Sequence, residues 1–187
     1  LLQDICRIIV DIGGYRLAWV GYAEQDETKS VRPAASAGFE DGYLETLNIT
    51  WADTEQGRGP TGTAIRTRKP IIARDIQNDP QFKPWRSAAV ARGYASSIAL
   101  PLIAEGQAIG TLNIYTADLD AFDEKEVRLL EELAGDLAFG IQTLRARIAR
   151  QKAEAEMEES EHRYRTLFEN TPIGIGVTNL EGELLTF

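Results

Sequence analysis

Residues 96–116 read SSIALPLIAEGQAIGTLNIYT, two apolar runs on either side of Glu105, Gly106 and Gln107. A short glycine-containing connection between two strand-like runs is typical of a β-hairpin. Pro101 interrupts the first run, and because proline cannot donate to a strand ladder, it indicates a sheet edge or a bulge. This stretch therefore predicts two antiparallel strands, from which the rest of the chain is interpreted.

A second antiparallel pair precedes this hairpin in the chain. Residues 15–24 are apolar and aromatic at both alternating positions, which is typical of a strand covered on both faces. A polar run at 25–30 leads to another strand near 31–37. Helices are expected at 1–12, 41–47, 60–68 and 85–92, and a short strand at 70–75. The chain is therefore predicted to be an α/β protein of the α+β type, built on an antiparallel sheet.

Residues 57–76, GRGPTGTAIRTRKPIIARDI, resemble a phosphate-binding loop only superficially. A Walker-type loop needs Lys and Ser or Thr after its last glycine, whereas Thr63 and Ala64 follow Gly62. Pro60 suits the first position of a helix, whose start leaves backbone N–H groups free for an anionic ligand. The stretch is therefore interpreted as the wall of a pocket rather than as a nucleotide site.

A long helix is predicted from about residue 123 to 169, because Asp123, Glu124 and Glu126 suit a helix N-terminus and the continuation at 145–168 contains no glycine or proline. Its apolar residues follow alternating steps of three and four, which is typical of a coiled-coil seam, and the stripe changes phase near 149–157. The predicted homodimer interface consists of Val127, Leu130, Ala134, Leu137, Ile141, Leu144 and Ile148.

Composition excludes several classes of function. The net charge is -9, from 29 acidic and 20 basic residues, and this argues against a nucleic-acid partner, which requires a basic surface. No stretch is apolar enough to cross a membrane, so no membrane contact is expected in this part of the protein, and a cytoplasmic location is predicted. The ends of the sequence resemble cuts from a longer polypeptide.

Few residues of this sequence are suited to catalysis or to metal binding. Cys6 is the single cysteine, so a disulfide and a thiolate metal cluster are excluded and a reducing compartment is expected. The single histidine, His162, belongs to a polar helical stretch, and the neighbouring carboxylates Asp118 and Asp120 suit loop or cap roles. We therefore expect no catalytic residue, no metal site and no enzymatic activity in this chain.

The order of these motifs resembles a bacterial GAF domain. The resemblance rests on YRLAWVGYAE, GRGPTGTAIRTRKPIIARDI, GYASSIALPLIAEGQAIGTLNIY and FDEKEVRLLEELAGDLAFGIQ, and it covers residues 1–145. It implies a six-stranded antiparallel sheet with helices on both faces, followed by a long signalling helix. The stretch SEHRYRTLFENTPIGIGVTNLEGELLTF, from Ser160, resembles the opening of a PAS domain. The resulting division is a GAF domain at 1–145, a coiled-coil linker at 146–163 and the truncated start of a PAS domain at 164–187.

The resemblance also implies a ligand site. In GAF domains a ligand lies between the sheet and the segment that corresponds to residues 74–93. The candidate ligand-binding residues are then Trp85, Arg86, Arg92, Ser97 and Asn113.

Departures from better-defined GAF branches leave the cofactor unknown. Bilin-binding branches use a pocket cysteine and sulfoxide-reducing branches use several, whereas this chain has Cys6 alone. Cyclic-nucleotide branches carry Asn-Lys, then Phe, three residues and Asp-Glu; here Ile114 follows Asn113, and Glu126-Val127 stand in place of Asp-Glu. Haem and metal are not supported either.

The leading hypothesis is a sensory GAF module of a sensor kinase or cyclic-di-nucleotide enzyme. It would bind an unidentified small molecule and relay occupancy through a dimeric helix to a downstream PAS domain and output domain. The alternative is a ligand-free dimerisation and transmission spacer whose pocket is filled by Trp85 and its neighbours.

Overall fold

The computed structural model describes residues 1–40, 42–46, 48–170, 177–178 and 184–185. It divides into two units, Leu1–Gln142 and Thr143–Phe187. The helices are α1 (Leu2–Asp11), α2 (Tyr43–Thr46), α3 (Pro60–Thr67), α4 (Arg86–Ala91) and α5 (Glu124–Asn170). The strands of the first unit are β1 (Leu17–Ala23), β2 (Val31–Gly38), β3 (Ile71–Ala73), β4 (Ser96–Ala104) and β5 (Gln107–Thr116). The ends of the helix predicted at 41–47 lie outside the described residues.

The predicted hairpin forms the middle of the sheet. The strand order is β2-β1-β5-β4-β3, and every neighbouring pair is antiparallel. Glu105 and Gly106 connect β4 to β5 with φ angles of 52° and 74°, the backbone of a tight hairpin turn. Because β3 pairs only with Ser97, Ile98 and Ala99, Pro101 lies on a part of β4 that β3 does not cover. Of the two alternatives predicted from this proline, a sheet edge or a bulge, the edge holds at Pro101, and a register shift follows between Leu102 and Ile103.

The α+β fold class is confirmed, with one correction to the strand count. The sheet has five strands among the described residues, where the family resemblance implied six. Next to the start of β2, Ser30 and Thr50 form an isolated antiparallel bridge. The Val31 amide donates to the Ile49 carbonyl at 2.9 Å, and the Trp51 amide donates to the Lys29 carbonyl at 2.8 Å. The chain then turns into a 3₁₀ segment at Glu55–Gly57, which ends this pairing.

The sheet separates two apolar cores, because successive side chains of a strand point to opposite faces. The first core packs α1 and α5 against residues such as Ile98, Leu112 and Ile114. The second core lies on the other face, under α3 and α4, and contains Leu17 and Trp19 among its buried residues. The double coverage expected for β1 is therefore confirmed, and the second core is where the pocket lies.

The apolar stripe of α5 requires a second correction. Leu130, Ala134, Leu137 and Ile141 are only 2% to 4% exposed, and they pack in the first core of their own chain. A coiled-coil seam and a core-facing helix share nearly the same apolar spacing, so the pattern alone does not distinguish them. Val127 also packs against this core. These five residues hold α5 on the sheet and do not form the surface that was predicted for a partner.

The second unit begins within α5, which continues without interruption to Asn170, as the predicted long helix required. All of its side chains described from 143 to 166 are exposed, Leu144 and Ile148 included. Ion pairs at i,i+4 spacing, such as Arg150–Glu154 and Arg165–Glu161, accompany this solvated stretch.

Beyond α5 the described residues include one short antiparallel pair, β6 (Val177–Thr178) with β7 (Leu184–Leu185). Residues 171–176, 179–183 and 186–187 lie outside the described part, so the PAS assignment stays a prediction. A search of the described helices finds none that combines the length and the apolar character needed to span a bilayer.

Candidate functional site

The glycine-rich stretch starts α3 over the second face of the sheet. Gly59 is the N-cap and Pro60 the first helical residue, and no side chain caps the helix. The first backbone bond runs from the Thr63 amide to the Gly59 carbonyl at 3.0 Å. The amides of Thr61 and Gly62 therefore precede the helical hydrogen-bond ladder, and both residues line a small cavity.

Two of these glycines are required by close approach. A Cβ at Gly62 would lie 2.2 Å from the Gly57 carbonyl oxygen, and one at Gly59 would lie 2.3 Å from Cζ3 of Trp85. Both distances are far below van der Waals contact, so a larger residue would force the loop or the indole to move. The glycines allow the loop and Trp85 to close over the start of α3.

Arg66 donates hydrogen bonds to three carbonyl groups of the loop at residues 51–57. Its Nη1 donates to the carbonyls of Trp51 at 3.0 Å, Ala52 at 3.0 Å and Gly57 at 2.7 Å. A loop that turns three carbonyls toward one guanidinium is a scaffold rather than a phosphate cradle, which needs converging N–H groups. The interpretation as a pocket wall is consistent with this geometry.

Aromatic rings fill most of the space between α3, α4 and the sheet. Tyr115 contacts Tyr94, Tyr43 and Phe82 with ring centroids 5.0, 5.9 and 6.4 Å apart, and Phe82 contacts Trp85 at 6.0 Å. The remaining cavity is about 10 Å³, room for about one water molecule. We call this region the aromatic pocket; it is lined by Tyr43, Ile49, Gly59, Pro60, Thr61, Gly62, Phe82, Trp85 and Tyr115.

The phenols of this cluster are held neutral. Burial raises the pKa of Tyr115 to about 12, although the neighbouring Trp19 indole and Tyr43 hydroxyl oppose the rise. Burial likewise raises the pKa of Tyr43 and of Tyr94. The Tyr94 hydroxyl donates to the carbonyl of Phe39. At neutral pH these groups therefore offer hydroxyl groups and apolar faces to a ligand, not negative charge.

Two of the predicted ligand-binding residues, Asn113 and Trp85, meet at the start of α3. Asn113 is buried on β5, where its Oδ1 accepts from Thr61 Oγ1 at 2.8 Å and its Nδ2 donates to Thr111 Oγ1 at 3.0 Å. This side chain anchors α3 to the sheet. Trp85 lines the cavity and covers Gly59.

Ser97 and Arg86 each bury a polar group without a partner. Ser97 is 3% exposed and lies directly opposite Tyr115 in the β4–β5 ladder, so its hydroxyl is on the pocket side of the sheet. Its Oγ has no hydrogen-bond partner among the described residues. Arg86 donates from Nη2 to the Asp79 carbonyl at 2.8 Å, while its buried Nε also lacks an acceptor within the described structure.

Arg92 has a mainly structural role. Its Nε donates to the Glu40 carbonyl at 3.0 Å and its Nη1 to the Ala88 carbonyl at 3.0 Å. The guanidinium also stands 5.2 Å from the centroid of the Tyr43 ring, a cation–π distance. Arg92 therefore links the end of α4 to the segment before α2.

Sequence reasoning did not select several residues that line the cavity, notably Tyr43, Phe82 and Tyr115. Tyr115 could have been found, because it stands two residues after Asn113 on one strand and must share its face. Tyr43 and Phe82 come from separate short helical segments, and nothing in their local pattern shows that the fold brings them together.

Reactive groups are sparse near the pocket. Cys6 belongs to the first core, on the opposite face of the sheet, and burial raises its pKa to about 11 while a backbone hydrogen bond at Val20 opposes the rise. Within the described ranges, no three His, Cys, Asp or Glu residues come close enough to hold a metal ion. His162 is exposed on the helical part of the second unit.

Comparisons with known proteins agree with this architecture. The family model described as "GAF domain" matches residues 1–142. GAF domain-containing protein A of Dictyostelium discoideum is 32% identical over 119 residues, which cover 64% of this chain and 66% of that protein. The methyl sulfide methyltransferase-associated sensor of Methanosarcina acetivorans is 29% identical over 110 residues, 58% of this chain and 10% of the sensor. The chain thus spans slightly under two thirds of one curated relative and a tenth of the other.

A solved structure gives the same fold. Free methionine-R-sulfoxide reductase from Neisseria meningitidis, in complex with its substrate, superposes with a TM-score of 0.62 at 22% identity, and the match covers 78% of each chain. At this identity the likeness concerns the fold alone. The family match, which covers well over half of the sequence, carries the assignment: over residues 1–142, the chain belongs to the GAF domain family.

Proposed function

We propose that this chain is a sensory module of a cytoplasmic signalling protein, in which the aromatic pocket receives a small molecule and α5 passes its occupancy to a downstream PAS domain and output domain. The parent protein would be a sensor kinase or a cyclic-di-nucleotide enzyme. In favour of sensing, one relative carries the word sensor in its name. The proposal assigns no catalysis to this chain, because no nucleophile and base are paired among the described residues of the pocket.

The observation that carries the proposal is the connection between the pocket strands and α5. Tyr115 lines the pocket near the end of β5, and residues 117–123 follow it directly into α5. The Ser96 hydroxyl donates to the Asp118 carbonyl at 2.5 Å, and Arg74 Nη1 donates to the Phe122 carbonyl at 3.1 Å. A shift of β4 or β5 around a ligand would therefore pull on this connection.

The start of α5 is held from the other side as well. Tyr15 stacks on Phe122 at 6.0 Å and donates its hydroxyl to Glu126. Asp123 caps the helix by accepting from the amides of Lys125 and Glu126 at 2.8 Å. These contacts give the connection a defined position that a ligand could change, as a switch between two states requires.

We further propose that the module is a homodimer, through a surface that differs from the buried stripe. Ile12 of the segment after α1 is 81% exposed and Phe139 of α5 is 71% exposed. A Cβ at Gly140 would lie 3.5 Å from Cδ2 of Leu1, so the residue before α1 lies beside α5. The proposed interface comprises the exposed apolar residues of the first unit Leu1, Ile8, Ile12, Leu129 and Phe139. Nucleic acid and membrane are not proposed as partners.

The alternative function, a ligand-free spacer, is favoured by one observation. A cavity of about 10 Å³ holds no metabolite unless the aromatic rings move. In that case the pocket would serve only as a second core, and α5 would transmit signals that arise elsewhere in the parent protein.

Thermal shift of the full chain against a metabolite library, followed by hydrogen exchange with each hit, separates the two functions. A sensor should gain thermal stability with a hit. It should also change its amide exchange both at residues 57–62 and at 117–126. Protection confined to 57–62 would contradict the relay, and a library without hits would support the spacer.

A further inference from the structure

The indole of Trp85 occupies the position in which a ligand would lie. It covers Gly59 so closely that a single methyl group there would collide with the ring, and its other neighbour is Phe82, edge to face. With the indole in place, the cavity is about 10 Å³. The space for any larger molecule is therefore the space that Trp85 fills.

The groups around this space are hydrogen-bond donors in need of acceptors. Thr61 and Gly62 line the cavity, and their amides belong to the uncapped positive end of α3. Independently, Ser97 lies directly across from Tyr115 on the same face of the sheet, next to the lining residues rather than among them, and its buried hydroxyl has no partner within the described residues. Native proteins seldom leave such groups unpaired, and each favours a ligand that carries acceptor atoms.

The charge of Arg86, the residue after the lining residue Trp85, also favours an anion. Arg86 follows Trp85 in the chain and forms no ion pair within the described residues, and its buried Nε has no acceptor. The carboxylate of Asp79, whose carbonyl receives Arg86 Nη2, is itself engaged by the Gln81 amide at 2.8 Å. A partly buried guanidinium without a counter-charge is stabilised by a bound negative group.

We propose that the aromatic pocket binds a small organic acid with a flat apolar body, and that Trp85 is a stopper that leaves when the acid enters. The ring of the acid takes the place of the indole against Gly59 and Phe82. Its carboxylate accepts from the amides of Thr61 and Gly62 and balances the charge of Arg86. This inference rests on the proposed sensory function, whose ligand class it specifies.

The stopper makes a quantitative prediction about affinity. When the binding-competent state is rarely populated, the observed affinity falls in proportion to that population. Trp85→Ala removes the competitor, so benzoate and indole-3-acetate should bind this variant at least tenfold more tightly than the unaltered protein, measured by titration calorimetry on the full chain. In the unaltered protein, binding should move Trp85 toward water and shift its emission to longer wavelength, and Trp85→Phe should abolish that shift.

The charge is tested with matched probes and variants. Benzyl alcohol and benzylammonium, which share the ring of benzoate, should bind at least tenfold more weakly than benzoate. Arg86→Gln should weaken benzoate binding, whereas Arg128→Gln, which removes the same charge from an exposed position on α5, should not. Circular dichroism establishes that each variant is folded, and the emission shift tests the stopper even if Trp85→Ala does not fold.

The outcomes separate this inference from the proposed function. If the alcohol or the ammonium ion binds as well as benzoate, the acid is the wrong class, while the sensory function stands. If benzoate binds folded Trp85→Ala no more tightly, or binds without an emission shift, Trp85 is not a stopper. If no probe binds either protein, the inference fails, and a library without hits would remove the sensory function as well.

Discussion

At the scale of single residues, Arg66 links the pocket wall to α3. It joins three carbonyls of the 51–57 loop to α3 through one guanidinium. Hydrogen bonds to charged groups contribute about 1.5–3 kcal/mol each, and several on one side chain do not add fully. We therefore expect Arg66→Ala to lower the free energy of unfolding by roughly 2–4 kcal/mol, measured by urea denaturation.

The control for this prediction is Arg68→Ala. Arg68 has the same side chain two residues later, but it is exposed, and its Nη1 donates to the Gly106 carbonyl at 2.9 Å. Its removal should cost less than about 1 kcal/mol. Equal losses in the two variants would show that the carbonyl contacts of Arg66 carry no special weight.

Gly59 is the second residue whose identity the structure dictates. In Gly59→Ala the new methyl group would start 2.3 Å from the Trp85 ring, so the indole must move. We expect a loss of about 1–3 kcal/mol in stability from overpacking, together with a tryptophan emission shift to longer wavelength. Gly135→Ala on α5 is the opposite case, because no atom lies within 4 Å of a Cβ at that position. This substitution should raise the free energy of unfolding by about 0.5–1 kcal/mol. Two variants with the same sign would contradict this assignment.

At the scale of elements, α5 tests the distinction between a core helix and a dimer seam. Leu137 is 3% exposed in the first core, whereas Phe139, two residues on, is 71% exposed. Leu137→Glu should therefore unfold the domain, because it buries an unpaired charge. Phe139→Glu should stay folded, and under the proposed dimer it should shift the protein toward monomer. Circular dichroism and sedimentation velocity measure the two outcomes, and a folded, monomeric Leu137→Glu would restore the original seam.

The elements also show what local pattern can predict. The hairpin at 96–116, the doubly covered β1 and the helix from Glu124 were predictable, because turn chemistry and periodicity act within a few residues. The role of Leu137 was not, since its spacing suits a sheet and a partner helix equally. The aromatic pocket was least predictable, because Tyr43, Phe82 and Tyr115 meet only through the tertiary fold.

The predicted ligand-binding residues likewise differ in how much of their role the sequence alone could show. Trp85 and Asn113 followed from the family resemblance and meet at the start of α3. The unpaired groups of Ser97 and Arg86 required coordinates, because a sequence shows which residues are polar but not which of their atoms find a partner.

At the scale of the whole molecule, both cores bury acids that are neutral at physiological pH. Burial raises the pKa of Cys6 in the first core from 9.0 to about 11 and that of Tyr115 in the second from 10.0 to about 12. Burial is also the main cause of the raised pKa of Tyr15, Tyr43 and Tyr94. A group with a raised pKa in the folded state binds its proton more tightly there, so the stability that it contributes is complete below its unfolded pKa.

This stability is lost as the pH rises from the unfolded toward the folded pKa values. We therefore expect the free energy of unfolding, measured by urea denaturation across a pH series, to stay level up to about pH 7.5, roughly one unit below the thiol pKa of about 8.5 in the unfolded chain. It should then fall with increasing slope toward pH 12, the folded value for Tyr115. Tyr115→Phe should flatten the upper part of this decline, whereas Tyr164→Phe, an exposed tyrosine of the second unit, should leave it unchanged. If both variants follow the unaltered protein, the buried phenol does not set its stability in alkali.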